Sequence, residues 1–252
     1  MIDTHIHIGQ FNKFYTSSES LLRFLDSADV DMFAVSSTTT CERNYDRVLR
    51  EMRDLVNTAG NRVMPVLWVL PEMLEDNTIG TFLETGINWR ILKIHPQISP
   101  AGSWSPTSEI TTKLLTLART MTVPILIHTG ETVGCYPDLF EETITQNPDI
   151  NFILAHGRPV DETIRIMEQC HNCWCDTAFM PTEHIVKLCR HGMTDRVLWG
   201  TDYPIPKYFY PEKDMVRYYK CLLSELKESV SKNDFIKITE TNAVRLLFNN
   251  LI

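Results

Sequence analysis

The sequence lacks both a basic surface pattern and a long apolar run. Its 252 residues include 24 Lys and Arg against 32 Asp and Glu, which gives a formal net charge of -8, and the basic residues are scattered. A protein that binds nucleic acid needs a basic stripe to neutralise phosphates, so we expect no nucleic-acid partner. The longest apolar stretch, residues 63–70, is interrupted by Pro65 and falls far short of the roughly 20 residues that span a bilayer. We expect no membrane partner either.

The sequence also lacks a recognisable secretory signal, a cysteine pattern typical of disulfide-bonded proteins and linkers between domains. Its seven cysteines are an odd number in a chain large enough to fold without staples, so we expect free thiols in a reducing compartment. Strand-like sequence begins at Met1 and leaves no room for a secretory signal, which favours a cytoplasmic protein. No linker-like segment interrupts residues 1–252, and we expect them to form a single domain.

Apolar runs alternate with amphipathic segments along the chain. Eight short runs rich in Val, Ile, Leu and Met are bounded by turn residues and predict β-strands. These strands cover residues 1–7, 31–36, 62–69, 89–95, 123–128, 151–156, 173–177 and 196–201. Apolar residues at three- and four-residue spacing predict helices over 18–28, 45–58, 108–120, 160–170 and 183–191. One or two closing helices are predicted over 210–228 and 235–249.

Eight strand–helix units in a chain of this length predict an α/β fold, the (β/α)8 TIM barrel. A parallel crossover needs a dozen or more residues and is almost always right-handed, so a series of them closes a sheet into a barrel. The competing fold is an open, doubly wound sheet. In the barrel, side chains at the C-terminal ends of all strands converge on one pocket.

Histidines concentrate at the predicted strand ends. Five of the eight lie there, namely His5, His7, His95, His128 and His156. A lone histidine in a barrel is more often a packed or surface residue than a ligand. Several at strand ends, together with an aspartate after an apolar strand, are hard to bury without a compensating partner. The pattern therefore predicts a metal site.

The first strand offers two of the ligands. Side chains alternate along a strand, so His5 and His7 lie on the same side, about 7 Å apart along the backbone, and both reach one ion. His128, at the end of the fifth strand, is a candidate third nitrogen, and Asp202, after the eighth, is a candidate carboxylate. A nitrogen-rich set with one oxygen suits one divalent ion, zinc or a similar first-row metal.

A second cluster of possible metal ligands has a simpler interpretation. Cys170, His171, Cys173 and Cys175 are crowded together, and Cys-x-x-Cys spacing is common in structural zinc sites. No second pair of this kind accompanies them, and Cys173 and Cys175 share one face of the seventh strand. We interpret these cysteines as packed free thiols.

Short motifs at the strand ends resemble one enzyme family. They are DTHIH (3–7), LIHT (126–129), AHG (155–157) and GTDYP (200–204), and TNAVRLLF (241–248) resembles the family's closing helix. The resemblance covers nearly the whole chain. It is to the amidohydrolase superfamily, within it to the amidohydrolase-related (family 2) metal-dependent hydrolases, the branch that contains aminocarboxymuconate-semialdehyde decarboxylase. It implies that His5, His7, His128 and Asp202 bind the metal.

The resemblance implies that His156 lies beside the metal-bound water or the substrate, and the chemistry of the residues around the ion predicts their roles. His156 would act as general acid or base, the alternative being a fifth ligand, and Asp202 would relay a proton while it binds the ion. Arg158 would pair with a substrate carboxylate. Lys93 and His95 share a face of the fourth strand, and two interpretations remain open. Either a carbamylated Lys93 bridges two ions, as in some relatives, or one ion suffices and Lys93 and His95 contact the substrate, which we favour.

Three functions are compatible with this site. The first is a metal-dependent hydrolase in which metal-activated water attacks a small ester, lactone or amide carbonyl. The second is a non-hydrolytic decarboxylase, a lyase, that acts on a small carboxylated substrate. The third is a non-catalytic barrel that needs no metal. We favour the hydrolase with a small-molecule substrate, and by analogy with relatives of this branch we expect a homodimer.

Overall fold

The computed structural model describes residues 1–248 and shows a curled sheet of nine strands within that range. The strands are β1 (Ile2–Phe11), β2 (Phe14–Thr16), β3 (Met32–Ser37), β4 (Val63–Trp68), β5 (Ile91–Ile94), β6 (Ile125–His128), β7 (Phe152–Ala155), β8 (Cys173–Asp176) and β9 (Val197–Leu198). All eight predicted strands are present, with shifted bounds. The short strand β2 was not predicted, because it has only three residues and two of them are exposed.

The sheet closes on itself, which confirms the TIM barrel and excludes the open sheet. Strand β1 pairs in parallel with β3, and each later strand pairs in parallel with the next as far as β9. The chain after β9 returns to β1, where the backbone N–H groups of Thr4 and His7 donate to the carbonyls of Trp199 and Tyr203 at 2.9 and 2.7 Å. Eight parallel strands therefore present their C-terminal ends on one face of the barrel.

Helices cover the outside of the barrel. They are α1 (Ser18–Ser27), α2 (Tyr45–Ala59), α3 (Pro71–Glu75), α4 (Thr78–Leu83), α5 (Glu109–Met121), α6 (Glu141–Gln146), α7 (Val160–Gln169), α8 (Thr182–Arg190), α9 (Ile205–Phe209), α10 (Met215–Ser229), α11 (Lys232–Ile236) and α12 (Asn242–Phe248). The predicted helix over 210–228 begins only at Met215, because the Asp214 side chain accepts a backbone hydrogen bond there and caps it. The predicted helix over 235–249 is divided by a π-helical turn, Lys237–Thr241, and its last residue, Asn249, lies outside the described residues.

Side chains on the strands alternate between the barrel interior and the layer beneath the helices. On β5, Ile91 belongs to the apolar cluster inside the barrel, whereas Leu92 and Ile94 belong to the larger cluster under the helices. Cys173 and Cys175 pack in that outer cluster as buried free thiols, as predicted. The same alternation directs His5 and His7 of β1 and Lys93 of β5 into the barrel near its C-terminal end, where the polar residues of the site lie.

The N-terminal end of the barrel is closed by apolar packing. Helix α12 contributes Ala243, Leu246 and Leu247 to the cluster inside the barrel. The buried side-chain amide of Asn242 donates to the carbonyl oxygens of Thr194 and Val197 at 2.7 and 2.8 Å, which fixes the helix against β9. Polar chemistry is thereby confined to the opposite, C-terminal face.

Strand β1 continues four residues beyond its predicted end at His7 and forms a hairpin with β2 at the mouth of the barrel. Gly9 makes this extension possible, because its φ of +92° disfavours other residues and an added Cβ would lie 2.4 Å from Oγ1 of Thr39. Among the described residues, no helix is both long and apolar enough to cross a membrane.

Candidate active site

Two histidines of β1 and an aspartate after β9 form the centre of the site. His5 and His7 are 2% and 3% exposed, and both rings direct Nε2 toward the same oxygen, Oδ1 of Asp202, at 3.2 and 2.9 Å. The backbone N–H of Asp202 donates to the carbonyl of His5 at 2.8 Å, so the closure of the barrel itself places the carboxylate beside β1. These three residues form one of the groups whose donor atoms lie close enough to share an ion.

Each of the two rings is oriented through its other nitrogen. Nδ1 of His5 lies 2.8 Å from Oδ2 of Asp176 at the end of β8, and Nδ1 of His7 lies 2.9 Å from Oγ of Ser36 on β3. The ionised carboxylate of Asp176 only accepts hydrogen bonds, so Nδ1 of His5 carries a proton and donates it to this contact. Such carboxylate–histidine pairs orient metal ligands and make them more basic.

The donor atoms fit a cation. Nε2 of His5 faces Oδ1 of Asp202 across 3.2 Å, and Nε2 of His7 faces the same oxygen across 2.9 Å, a spacing at which the three atoms can share one positively charged partner. Two imidazole nitrogens and one carboxylate oxygen are donors that zinc accepts at about 2.0–2.2 Å. His5, His156 and Asp176 form a second group with the spacing of metal ligands.

Lys93 supplies positive charge at the same place. Its Nζ lies 2.8 Å from Nε2 of His5 and 3.2 Å from Nε2 of His7, and the residue is only 1% exposed. Burial lowers its pKa to about 8, although Asp202 and Asp176 oppose the shift. Strand β5 places Lys93 inward as predicted, but its contacts within residues 1–248 are to the histidines of β1 and to the ring of Trp68, 4.6 Å from Nζ.

The structure does not bring His128 into the His5, His7 and Asp202 group. Its Nδ1 lies 3.0 Å from Nε2 of His156, and its ring stacks on His95 with centroids 3.7 Å apart. It lines the same pocket because β6 and β7 are neighbours, yet within the described residues it belongs to neither group with ligand spacing. Three of the four predicted ligands therefore meet, and the ligation of the ion by His128 stays a prediction.

His156 is buried, and both its backbone and its ring make hydrogen bonds. Its backbone N–H donates to Oδ1 of Asp176 at 2.9 Å, and Nδ1 lies 3.1 Å from the carbonyl oxygen of Ala178, which makes Nδ1 the protonated nitrogen. Nε2 is left as the acceptor that faces His128. Burial lowers the pKa of His156 to about 4, so its ring is neutral at pH 7 and able to accept a proton.

The acids and the histidines are perturbed in a consistent way. Burial lowers the pKa values of His7 and His95 to about 3 and that of His128 well below its usual range. Burial works against ionisation of Asp202, but His5 and His7 outweigh it and hold the pKa of Asp202 well below its usual range. The site thus combines an ionised Asp202 with neutral rings of His7, His95 and His128, and metal binding requires ligands in these deprotonated states.

Two of the predicted substrate contacts have hydrogen-bonding atoms without partners among the described residues. Nε of Arg158 and Nδ1 of His95 are buried, and no partner for them lies among residues 1–248. The nearest acid to Arg158 is Glu131, 3.9 Å away, and the Arg158 side chain is 30% exposed. Both groups are therefore available to a ligand.

Three side chains that line the pocket sit on an unusual backbone. His156, Phe179 and Asp202 have φ values of +70°, +55° and +57°, in the left-handed region that non-glycine residues seldom adopt. The ring of Phe179 reaches that of His156, with centroids 6.1 Å apart. Strain of this kind persists only where surrounding contacts enforce it, and it concentrates at functional sites.

Asp176, Ser36 and Trp68 were missed in the sequence. Asp176 follows Cys173 and Cys175 on the seventh strand, and a single aspartate at a strand end is the signal that identified Asp202. Ser36 and Trp68 carry no such signal, because serine and tryptophan also end many structural strands. Only their contacts, a hydrogen bond to His7 and a ring beside Lys93, reveal their place in the site.

Comparison with known proteins identifies the family. The sequence matches no curated protein, whereas the family model described as Amidohydrolase (Amidohydro_2) matches residues 2–248. Similar solved structures include an uncharacterised TIM-barrel protein from Bordetella bronchiseptica (16% identity, TM-score 0.73, 98% of this chain and 97% of that one). A second is a probable 2-pyrone-4,6-dicarboxylic acid hydrolase from Acinetobacter baumannii, with 11% identity, a TM-score of 0.69 and coverage of 98% of both chains. A third is 5-carboxyvanillate decarboxylase from Sphingomonas paucimobilis, with 11% identity, a TM-score of 0.68 and coverage of 98% of both chains. The chain belongs to the amidohydrolase family.

Proposed function

We propose that the protein is a metal-dependent hydrolase that acts on the carbonyl group of a small ester, lactone or amide. The observation that carries the proposal is that Nε2 of His5 and Nε2 of His7 lie 3.2 and 2.9 Å from the same oxygen, Oδ1 of Asp202. Three protein ligands with a further position left for water or substrate is the usual arrangement of catalytic zinc sites. We therefore propose one divalent ion, zinc, with His128 adjacent to it as the candidate fourth ligand.

The ion and the residues around it have different roles in the proposed reaction. A divalent ion held by His5, His7 and Asp202 would lower the pKa of water and would polarise a carbonyl oxygen. Asp176 keeps His5 in the tautomer that leaves Nε2 free, and Asp202 stays ionised and accepts a hydrogen bond from the attacking water on the oxygen that does not face the histidines. His156 is neutral and buried, and it serves as the general base that takes the proton from the attacking water and returns it to the leaving group.

Arg158 and His95 position the substrate. The unpaired Nε of Arg158 and the exposed part of its guanidinium suit a carboxylate, which arginine binds in a bidentate manner. His95 offers Nδ1 as a second contact, and Lys93 lies deeper beside the histidines. A small cyclic ester that bears a carboxylate fits this arrangement, and the probable pyrone dicarboxylic acid hydrolase among the similar structures supports that choice.

Decarboxylation is the second candidate, and Arg158 is the observation that favours it. A lyase needs a cation that holds one acid group while carbon dioxide leaves from another position, and Arg158 is a cation whose Nε has no partner among residues 1–248. The 5-carboxyvanillate decarboxylase among the similar structures catalyses a reaction of this class by its name. The two candidates differ in product, since only the lyase releases carbon dioxide.

The test is metal content and product analysis of the purified protein. We expect about one zinc ion per chain, loss of activity on chelation, and cleavage of a carboxylated lactone such as 2-pyrone-4,6-dicarboxylate without release of carbon dioxide. The variant His5→Ala/His7→Ala should lose both ion and activity, whereas His191→Ala, an exposed histidine outside the pocket, should keep both. Carbon dioxide released from 5-carboxyvanillate would replace the hydrolase with the lyase, and a protein without any ion would favour the non-catalytic barrel.

A further inference from the structure

The amine of Lys93 lies against the same two ring nitrogens that an ion would bind. Nζ lies within hydrogen-bond distance of Nε2 on both His5 and His7, at 2.8 and 3.2 Å. Each Nε2 has a single position for a proton, a hydrogen-bond donor or a metal. A ring nitrogen that accepts a hydrogen bond from Lys93 is therefore not free to bind an ion.

Distance alone brings an ion and the amine into conflict. An ion held about 2.1 Å from Nε2 of His5 would lie no more than about 5 Å from the present position of Nζ, because the two separations add. Lys93 is 1% exposed, so little water separates the two positive charges and their repulsion is strong. Binding of the ion requires Nζ to leave the histidines.

We propose that Lys93 is a built-in cation that competes with the metal ion for His5 and His7, and that the ion binds only as the Lys93 side chain moves away. The inference rests on the proposed metal site and adds a residue that sets its affinity. It differs from both earlier interpretations of Lys93, the carbamylated bridging ligand and the simple substrate contact.

Trp68 offers the displaced ammonium a place to go. Nζ already lies 4.6 Å from the centre of the indole ring, and a cation over an aromatic face is stabilised even when it is shielded from water. The ring of Trp68 also lies 5.8 Å from that of His7 and 5.7 Å from that of His95. An ammonium that moves onto the face of this ring therefore keeps a partner for its charge when it leaves the two ring nitrogens.

The experiment measures the affinity of the full-length, metal-stripped protein for Zn²⁺ and Mn²⁺ in competition with a chromophoric chelator. Lys93→Met keeps the length of the side chain and removes the cation, and we expect it to bind either ion at least about tenfold more tightly than the wild type. Lys93→Arg keeps a cation and should bind no more tightly than the wild type. Lys113→Met, on the exposed face of α5, is the control for loss of a lysine and should leave the affinity unchanged.

The outcomes separate this inference from the proposed function. Weaker binding by Lys93→Met would show that Lys93 is itself a ligand, and equal binding would show no competition; either result overturns the inference while the metal site stands. If neither the wild type nor Lys93→Met binds an ion, the proposed function fails as well. If Lys93→Met binds an ion tightly and the wild type binds none, the competition is supported, but the metal then has no part in the natural function of the protein.

Crystal structures of the wild type with and without Mn²⁺ provide a measurement that needs no variant. We expect Nζ to lie beyond hydrogen-bond distance of both Nε2 atoms when the ion is bound, and to return to them when it is removed. An ion-bound structure in which Nζ stays at its present distance from His5, or carries a carbamate that bridges two ions, would overturn the inference.

Discussion

The pocket has two sides that hold their histidines in different ways. On one side, His5 and His7 contact Asp202, and Asp176 fixes His5 from behind; we call these four residues the acid-tied cluster. On the other side, Trp68, His95 and His128 stack in series, with ring centroids 5.7 and 3.7 Å apart; we call these three the stacked cluster. Among residues 1–248, no carboxylate lies within ion-pair distance of His95 or His128.

The difference shows how one pocket provides two kinds of site. Carboxylates set the tautomer of an imidazole and attract a cation, so the acid-tied cluster is suited to an ion. Imidazoles without acids remain neutral when buried, so the stacked cluster is suited to an uncharged or anionic substrate. His156 lies between the two, since its backbone bonds to Asp176 and its ring to His128.

The largest expected effect comes from removing the negative charge of Asp202 in the acid-tied cluster. Asp202→Asn should abolish binding of the ion and lower kcat/KM by about four orders of magnitude or more, because the ion's contribution to catalysis is lost with it. Asparagine tolerates a positive φ almost as readily as aspartate, so the backbone at this position should remain intact. Metal analysis and circular dichroism check the two halves of this prediction, and retention of a tightly bound ion would contradict it.

Substitution of the residue between the clusters should affect catalysis without affecting the ion. His156→Asn also suits a positive φ, and it removes the proposed base, so kcat should fall by about 10² to 10⁴. Affinity for zinc should stay within a few fold of the wild type. A large loss of zinc would instead favour the interpretation of His156 as a ligand.

A smaller effect is expected when the direction of the hydrogen bond between residue 176 and Nδ1 of His5 is reversed. In Asp176→Asn the amide oxygen would still accept the backbone N–H groups of His156 and Ala178, and the amide nitrogen would then donate to Nδ1 of His5. The proton of His5 moves to Nε2, which disfavours the ion, and affinity for zinc should fall by about 10- to 100-fold. Chelator competition measures the change, and an unchanged affinity would show that Asp176 has no part in holding the ion.

The smallest effect concerns the stacked cluster and pH. The pKa of His95 is lowered to about 3, below its unfolded value of 6.5, so the unfolded chain binds a proton that the folded chain does not. His95 therefore contributes stability that is present above pH 6.5 and is lost as pH falls toward 3. For the metal-free protein, His95→Asn should make the free energy of unfolding less dependent on pH between 6 and 4, by about 1.4 kcal/mol per pH unit.

Denaturant unfolding at several pH values measures that slope. His191→Asn is the matched control, since His191 is exposed and lies outside the pocket. If both variants keep the wild-type slope, the stacked cluster is not the source of acid sensitivity.

Much of the barrel was predictable because its signals are local. Apolar runs with turn residues at their ends locate all eight barrel strands, and helices such as α2 (Tyr45–Ala59) begin at the predicted residue. The hairpin of β1 with β2 was not predictable in the same way. It depends on Gly9 and on contacts with Thr39, which lies thirty residues later in the chain.

The candidate site was predictable at the level of residues and less so at the level of atoms. His5 and His7 followed from alternation along one strand, and Asp202 from its position after an apolar run. Asp176 was not predicted, although it follows Cys175 at a strand end and contacts His5. His128 contacts His156 instead of His5, His7 or Asp202. Which nitrogen faces which oxygen depends on side-chain rotation, and no spacing in the sequence encodes that.

The sequence by itself determined the repeating order of strands and helices and the polar residues that end the strands, because both depend on residues close together in the chain. Only the tertiary structure decided that Lys93 contacts His5 and His7 and that Asp176 supports His5. Those contacts join strands 86 to 171 residues apart, and they form because the barrel closes and brings all inward side chains at its C-terminal end into one small volume.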